Sequence, residues 1–255
     1  MARANRHFIK GQIWHLTHRC HKRQWLLKFK QDRDRWLFWL YQARQRYGLV
    51  VLNFVVTSNH IHLLVEDQGK REISKSIQLL ASRTAQEFNN RKSRVGAFWQ
   101  DRYHATAIES DQHLARCLRY IDLNMVRAGA VTHPSQWTHS GYAETCLPVQ
   151  RYRRLDLIRL CQLLGCSDLN TLQQLRFEWV EEALSHDILQ RESIWSDSVA
   201  VGNKPFLEQV FKQLKTRHPR ARIHAEDNQL CLRESAGRYN QFLRRKIVRN
   251  PYNSP

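Results

Sequence analysis

The stretch Asn53-Phe-Val-Val-Thr-Ser-Asn-His-Ile-His-Leu-Leu-Val-Glu66 lies at the centre of two apolar runs, Leu49 to Val56 and His60 to Val65. Thr57-Ser58-Asn59 parts them, a pattern that predicts two strands joined by a tight antiparallel turn. A strand alternates its side chains, so His60 and His62 leave the same face of the second arm. Two imidazoles on one rigid element supply half of a metal site whose other ligands must come from elsewhere. The chain holds 13 histidines, so the pair by itself also reads as two ordinary strand residues.

Outward from the hairpin, Gly11 to His18 reads as a first strand and Arg19 to Lys30 as a basic loop. Asp32 and Asp34 open an amphipathic helix that carries Trp36, Leu37, Leu40 and Tyr47 inward and closes at Gly48. A second helix is expected from Ile73 to Arg91, with Ile77, Leu80, Ala81, Ala85 and Phe88 facing the core, and a fourth strand from Arg102 to Ile108. Ser110 is the expected cap of a third helix running to about Arg127 and stopped by Gly129. The order strand, helix, strand, strand, helix, strand, then an extra helix gives the fold class α+β. It predicts a ferredoxin-like antiparallel sheet with helices on one face and the other face open to a ligand.

Beyond His133-Pro134 the pattern becomes that of short helices, Leu155 to Leu164, Leu172 to Leu184 and Pro205 to Leu214, with Asn203 as a cap for the last. The expected division is a first domain over 1–145 and a mainly helical, basic C-terminal extension over 146–255. The formal charge of +18 implies a polyanionic partner. Its distribution is more telling, since the first 47 residues carry twelve basic and two acidic side chains, and Lys215 to Pro255 ten and three. The extension is therefore expected to bind DNA. No run of eighteen apolar residues and no apolar leader is present, which predicts a cytoplasmic, nucleoid-associated protein with no membrane partner. The six cysteines form no Cys-x-x-Cys pair, which argues against a zinc ribbon and a disulfide framework.

On the third helix His113, Arg116, Tyr120, Asn124 and Arg127 recur three and four residues apart and form one polar stripe. Such a stripe is usually a solvated face. Here a phenol stands one turn before an amide, between guanidinium groups, and this combination suits a phosphodiester: tyrosinate can attack phosphorus and arginine can hold the nonreacting oxygens. The amide oxygen could complete a shell begun by His60 and His62. A shell of nitrogen and oxygen without thiolate is compatible with Mg²⁺ or Mn²⁺, though imidazole alone also accepts zinc or copper.

The motifs Trp14-His-Leu-Thr-His-Arg-Cys20, Asp32-Arg-Asp-Arg35, Val56-Thr-Ser-Asn-His-Ile-His-Leu-Leu-Val65, Phe98-Trp-Gln-Asp-Arg-Tyr103, Leu118-Arg-Tyr-Ile-Asp-Leu-Asn-Met-Val-Arg-Ala-Gly129 and Trp137-Thr-His-Ser-Gly-Tyr142 follow in order between Gly11 and Tyr142. In these the chain resembles the single-tyrosine HUH transposases of the insertion-sequence type, in particular the branch associated with repetitive extragenic palindromes. It departs from them where Thr57-Ser58-Asn59 replaces the usual Met-Pro-Asn, and where Leu123-Asn124-Met125-Val126 keeps the asparagine of the usual Asn-Pro-Val but loses the proline. The resemblance implies that Tyr120 is the nucleophile and that His60, His62 and Asn124 hold a divalent metal, Mg²⁺ or Mn²⁺. It further implies cleavage and rejoining of single-stranded DNA beside a hairpin through a 5′-phosphotyrosine; the sequence leaves monomer and homodimer both open.

For DNA contacts the sequence offers Arg19, Lys22, Arg23, Arg102, Arg116 and Arg127. Trp99 and Tyr103 either stack on unpaired bases or pack in the core. His15 reads as a satisfied sheet histidine, and the group His18, Cys20, His21 lacks the second pair that zinc would need. The run Arg244 to Arg249 is either a solvated tail or a DNA arm. Two other functions compete with the enzyme: a domesticated hairpin-DNA-binding protein that does not cut, and an RNA-binding module, the latter weakened by the absence of clustered strand aromatics.

Overall fold

The computed structural model describes residues 8–146, 152–186, 188–216, 218–226 and 229–234. The first part runs β1 (Ile13–Arg19), α1 (Lys30–Tyr47), β2 (Val50–Val56), β3 (His60–Glu66), α2 (Glu72–Arg91) and β4 (His104–Ile108). These strands lie in the order β2-β3-β1-β4, each antiparallel to its neighbours, which is the ferredoxin-like arrangement predicted. The turn closes where the Thr57 N–H donates to the His60 carbonyl at 3.0 Å.

Alternation sorts the sheet into two faces. Leu16, Ile61, Leu63 and Val65 are fully buried on the face covered by α1 and α2. Helix α1 buries Trp36, Leu37, Leu40 and Ala43 and ends at Gly48, whose φ of 68° places it in the left-handed region. Its acidic residues do more than meet the helix dipole: Asp32 pairs with Arg91 of α2, and Asp34 lies 2.9 Å from His139. Opposite them, His15, Thr17, Arg19, His60 and His62 share the second face through the pairings Thr17 to His62 and Arg19 to His60.

That second face is not left bare. Helix α3 (Gln112–Asp122) lies across it, followed after Leu123 by the single turn α4 (Asn124–Arg127), so the expected continuous helix is broken one residue before Asn124. Ser110 is not its cap; the preceding residue is Asp111, at φ 65° and without a capping hydrogen bond. The stripe is also not solvated, because His113, Tyr120 and Asn124 are all buried. The C-terminal region supplies helices α5 (Gly141–Cys146), α6 (Leu157–Leu164), α7 (Leu169–Ser185) and α8 (Ile194–Asp197), strand β5 (Ala200–Val201), α9 (Lys204–Leu214), and the hairpin β6 (Ala221–Glu226) with β7 (Gln229–Glu234). Asn203 caps α9 through the Phe206 N–H at 2.9 Å, as its sequence suggested.

Beyond the expected helices, this region thus adds three strands, and β5 joins β4 in parallel to give one seven-stranded sheet. Four consecutive residues of β6 are exposed, which is why an apolar alternation did not mark it. The basic run Arg244 to Arg249 lies outside the described residues. Among the described residues no helix is long and apolar enough to cross a membrane.

The motif from Trp137 to Tyr142 clamps the end of β2 beside the histidine turn. Trp137 Nε1 donates to the Val56 carbonyl at 3.0 Å, and the Arg33 guanidinium lies 4.7 Å from the Trp137 ring. Gly141 is required for contact: a Cβ there would stand 2.2 Å from Asn53 Oδ1 and 3.1 Å from the Phe54 nitrogen. Asn53 cannot retreat, since its Nδ2 is held by Asp122 at 2.8 Å and its Oδ1 accepts from Phe54 N at 2.9 Å. Gly141→Ala should therefore cost about 1–3 kcal/mol, as overpacking of a fixed core does. Urea denaturation followed by circular dichroism measures it, and an unchanged midpoint would contradict this account of the motif.

Candidate active site

His60 and His62 end on the same side of β3 with ring centroids 5.0 Å apart. His60 Nδ1 lies 2.7 Å from Asn59 Oδ1, a carbonyl that only accepts, so Nδ1 carries the proton and Nε2 keeps a lone pair. Thr57 supports the same ring, with Oγ1 2.9 Å from Nδ1 and donating to the His60 carbonyl at 2.8 Å. His62 is deeper: its Nε2 is 3.1 Å from Asn124 Nδ2 and its Nδ1 is 2.9 Å from His15 Nε2. Burial, and then the charges of Arg19, Arg191 and Arg127, lower the His60 pKa to about 4. Burial first, then His60 and His15, hold His62 well below the ordinary range.

Tyr120 reaches these histidines from α3, its ring centroid 5.9 Å from that of His62. Arg127 lies over the Tyr120 ring at 4.2 Å and donates to the Tyr120 carbonyl at 2.8 Å. Burial raises the Tyr120 pKa, while Arg127 and Arg191 oppose that rise by favouring the tyrosinate. Both histidines, Tyr120, Asn124, Arg19, Arg23 and Arg127 line one cavity of about 310 Å³, joined by Asn59, Ala128, Arg191 and Ser196. Four guanidinium groups around one small cavity form an anion site. Their mutual repulsion is visible at Arg19, whose pKa is lowered by burial and then by Arg191 and Arg23.

Lys22, Arg102 and Arg116 do not line this cavity. Trp99 and Tyr103 are used in packing: Trp99 stacks on His18 at 4.0 Å and donates to the Ala81 carbonyl, and Tyr103 is buried. His18 Nε2 meets the Asp101 carbonyl at 2.9 Å, and buried Cys20 has its thiol pKa pushed up to about 12, so neither is set up as a zinc ligand. Sequence reasoning missed Arg191 and Ser196. They belong to the irregular stretch around α8, where no periodicity singles out a residue.

Among the described residues no group of three or more His, Cys, Asp and Glu could hold a metal ion. His60, His62 and Asn124 differ from such a group in that the third member is an amide. They nevertheless fit a divalent cation in one respect that the structure makes specific: the Asn124 N–H points at the His62 Nε2 lone pair, so a donor already occupies a position a cation would take.

The buried histidines set an acid limit on stability. His15, His60, His62, His104, His113 and His139 all have lowered pKa values, with burial the first cause in each and His15 at about 3. Unfolded, each takes up a proton near pH 6.5. Their contribution to stability is thus complete above that pH and declines below it; for His15 and His60 the decline is about 1.4 kcal/mol per pH unit until the folded values of about 3 and about 4 are passed. Asp67 acts in the opposite sense, since burial and then Glu72 raise it to about 6. The histidines outnumber it, so the melting temperature should fall steeply between pH 6.5 and 4.5. Calorimetry at several pH values tests this, and a flat profile would refute neutral burial of the histidines.

The cavity brings together a tyrosine, two imidazoles, an amide and four guanidinium groups. Residues 9–124, a little under half of the chain, match the family model described as transposase IS200 like. Among solved structures it is similar to a tyrosine transposase associated with repetitive extragenic palindromes and bound to a hairpin of that repeat, with 21% identity, 57% of this chain and 85% of that chain covered, and a TM-score of 0.48. It is also similar to a protein from Deinococcus radiodurans R1 with a provisional transposase assignment, at 18% identity, 46% and 93% coverage and a TM-score of 0.34. A search of curated proteins finds no match.

Proposed function

We propose that the protein is a single-stranded DNA endonuclease and strand transferase that acts through a 5′-phosphotyrosine on Tyr120. The observation that carries this reading is the meeting of Tyr120, His60, His62, Asn124 and four arginines in one cavity. The Tyr120 phenol gives up its proton to solvent and its oxygen attacks phosphorus; a P–O bond to the 5′ side forms as the P–O3′ bond breaks, and the leaving 3′ oxygen takes a proton, so the exchange consumes none overall. Attack by a 3′-hydroxyl reverses the exchange and frees the tyrosine, so rejoining needs no nucleotide cofactor.

Arg127 and Arg191 favour the phenolate in an otherwise burying environment, and with Arg19 and Arg23 they hold the nonbridging oxygens. His60 and His62, through Nε2, and Asn124, through its amide oxygen after rotation, would hold a divalent metal, Mg²⁺ or Mn²⁺. When bound it would polarise the scissile phosphoryl group. On this reading residues 1–145 form the catalytic unit and 146–255 an extension that contacts DNA; entry of Arg191 into the cavity supports the second role. The resemblance to the palindrome-associated branch makes a hairpin with an adjoining single strand the substrate of choice.

The direct test is incubation with such a hairpin in Mg²⁺ or Mn²⁺, followed by mass spectrometry of the tryptic peptide carrying Tyr120. A peptide bearing a 5′-linked nucleotide supports the proposal. Tight hairpin binding with no adduct under any metal would instead favour the non-cutting DNA-binding protein.

A further inference from the structure

We infer that His15 is a positioning residue that fixes His62 as the Nδ1–H tautomer, and that the C-terminal region sets this tautomer through the main-chain carbonyl of Trp195. The inference rests on the proposed role of His62 and concerns how this chain prepares that residue.

The argument follows the protons. His15 is fully buried on β1, and its Nδ1 lies 2.9 Å from the Trp195 carbonyl. A carbonyl can only accept, so Nδ1 of His15 carries the hydrogen. Asn124 Nδ2 can only donate, so His62 Nε2, 3.1 Å away, accepts, and the hydrogen of His62 sits on Nδ1, which leaves His15 Nε2 as its acceptor. That Nε2 stands 2.9 Å from His62 Nδ1, which must therefore be the donor. The two ring planes lie within 9° of parallel, with centroids 5.0 Å apart. His62 Nε2 is thus left as a lone pair toward the cavity, where it accepts from Asn124 Nδ2 at 3.1 Å.

The reverse arrangement would set the lone pair of His15 Nδ1 against a carbonyl oxygen and turn an N–H of His62 toward the Asn124 amide N–H. Each contact would then be repulsive. The anchor itself is held, because Thr106 Oγ1 donates to the Ser198 carbonyl at 2.8 Å and approaches the Trp195 carbonyl at 3.3 Å. His60 reaches the same tautomer by a local route, through the adjacent Asn59. His62 instead depends on a residue of β1 and a carbonyl 133 positions further along the chain, so that folding of the C-terminal region onto the sheet is coupled to readiness of the site.

The test begins on the unaltered full-length protein without metal or DNA. Nitrogen-15 NMR of histidine-labelled protein, assigned by loss of signals in His15→Phe and His62→Gln, should show both His15 and His62 protonated at Nδ1 and unprotonated at Nε2. Either ring found protonated at Nε2 overturns the inference, whatever the enzyme activity. In His15→Phe, checked as folded by circular dichroism, His62 should become a mixture of tautomers and Mn²⁺ affinity by calorimetry should fall about 10–100-fold. His15→Gln, whose amide can both donate to Trp195 and accept from His62, should retain most of both. An unmixed His62 tautomer in His15→Phe would also overturn the inference. Absence of covalent adducts alongside the expected tautomers would count against the proposed function alone.

Discussion

Tyr120→Phe is expected to abolish formation of the covalent DNA adduct and to lower strand cleavage by at least about 10³-fold, while hairpin DNA affinity stays within about threefold. The asymmetry follows from the position of the phenol. Its ring is packed among Arg127 at 4.2 Å, His62 at 5.9 Å and Trp195 at 6.1 Å, and phenylalanine keeps all three contacts. The hydroxyl makes no hydrogen bond to the described residues, so its removal strands no buried partner and should leave stability within about 0.5 kcal/mol. What is lost is the proposed nucleophile. A denaturing gel with end-labelled hairpin and a binding isotherm on the same preparation measure the two quantities. Cleavage at the wild-type rate in Tyr120→Phe would transfer the attacking role to water or to another residue and overturn the proposed chemistry.

Arg176→Ala is expected to destabilise the protein by about 3–5 kcal/mol, a large part of the total that a domain of this kind has. Arg176 of α7 is fully buried, and its Nη2 donates to both carboxylate oxygens of Asp122 at 2.6 and 2.7 Å. Its Nη1 donates to Thr145 Oγ1 at 2.7 Å. Truncation would leave the Asp122 carboxylate in the interior with Asn53 Nδ2 as its remaining partner in this cluster. An uncompensated buried charge costs far more than an intact pair contributes, so the double variant Arg176→Met/Asp122→Leu should be more stable than the single one. Chemical denaturation of the wild type, Arg176→Ala and the double variant gives the answer. A loss below about 1 kcal/mol in Arg176→Ala would show that water reaches the carboxylate. Asp122 lies two residues after Tyr120, so this cluster also fixes the end of the helix that carries Tyr120.

Much of the first half was legible in the chain. The apolar arms around Thr57-Ser58-Asn59 gave the hairpin and its register, because a buried strand cannot slip by one residue without turning its side chains to the wrong face. Tyr120 and Asn124 shared a helical face by spacing alone, even though a break at Leu123 puts them in different helices. Legibility failed where a residue's environment is supplied by a distant segment. The stripe on α3 looked solvated because nothing in its spacing reveals that a sheet lies beneath it. Strand β6 was hidden because it has four exposed residues in sequence and is held by pairing with β7 rather than by burial. Ser110 offered a capping hydroxyl, but the chain enters α3 through Asp111 with a positive φ instead.

The sequence by itself determined the ferredoxin-like order of strands and helices, the common face of His60 and His62, and the pairing of a tyrosine with an asparagine one turn later. These depend on periods of two and 3.6 residues, which are local properties of the backbone. Only the tertiary structure decided that Arg191 enters the cavity and that His15 stands between Trp195 and His62. A hydrogen bond between side chains 47 residues apart, or to a carbonyl 180 residues away, depends on strand register and on how a later segment packs across the sheet, and no local pattern encodes that.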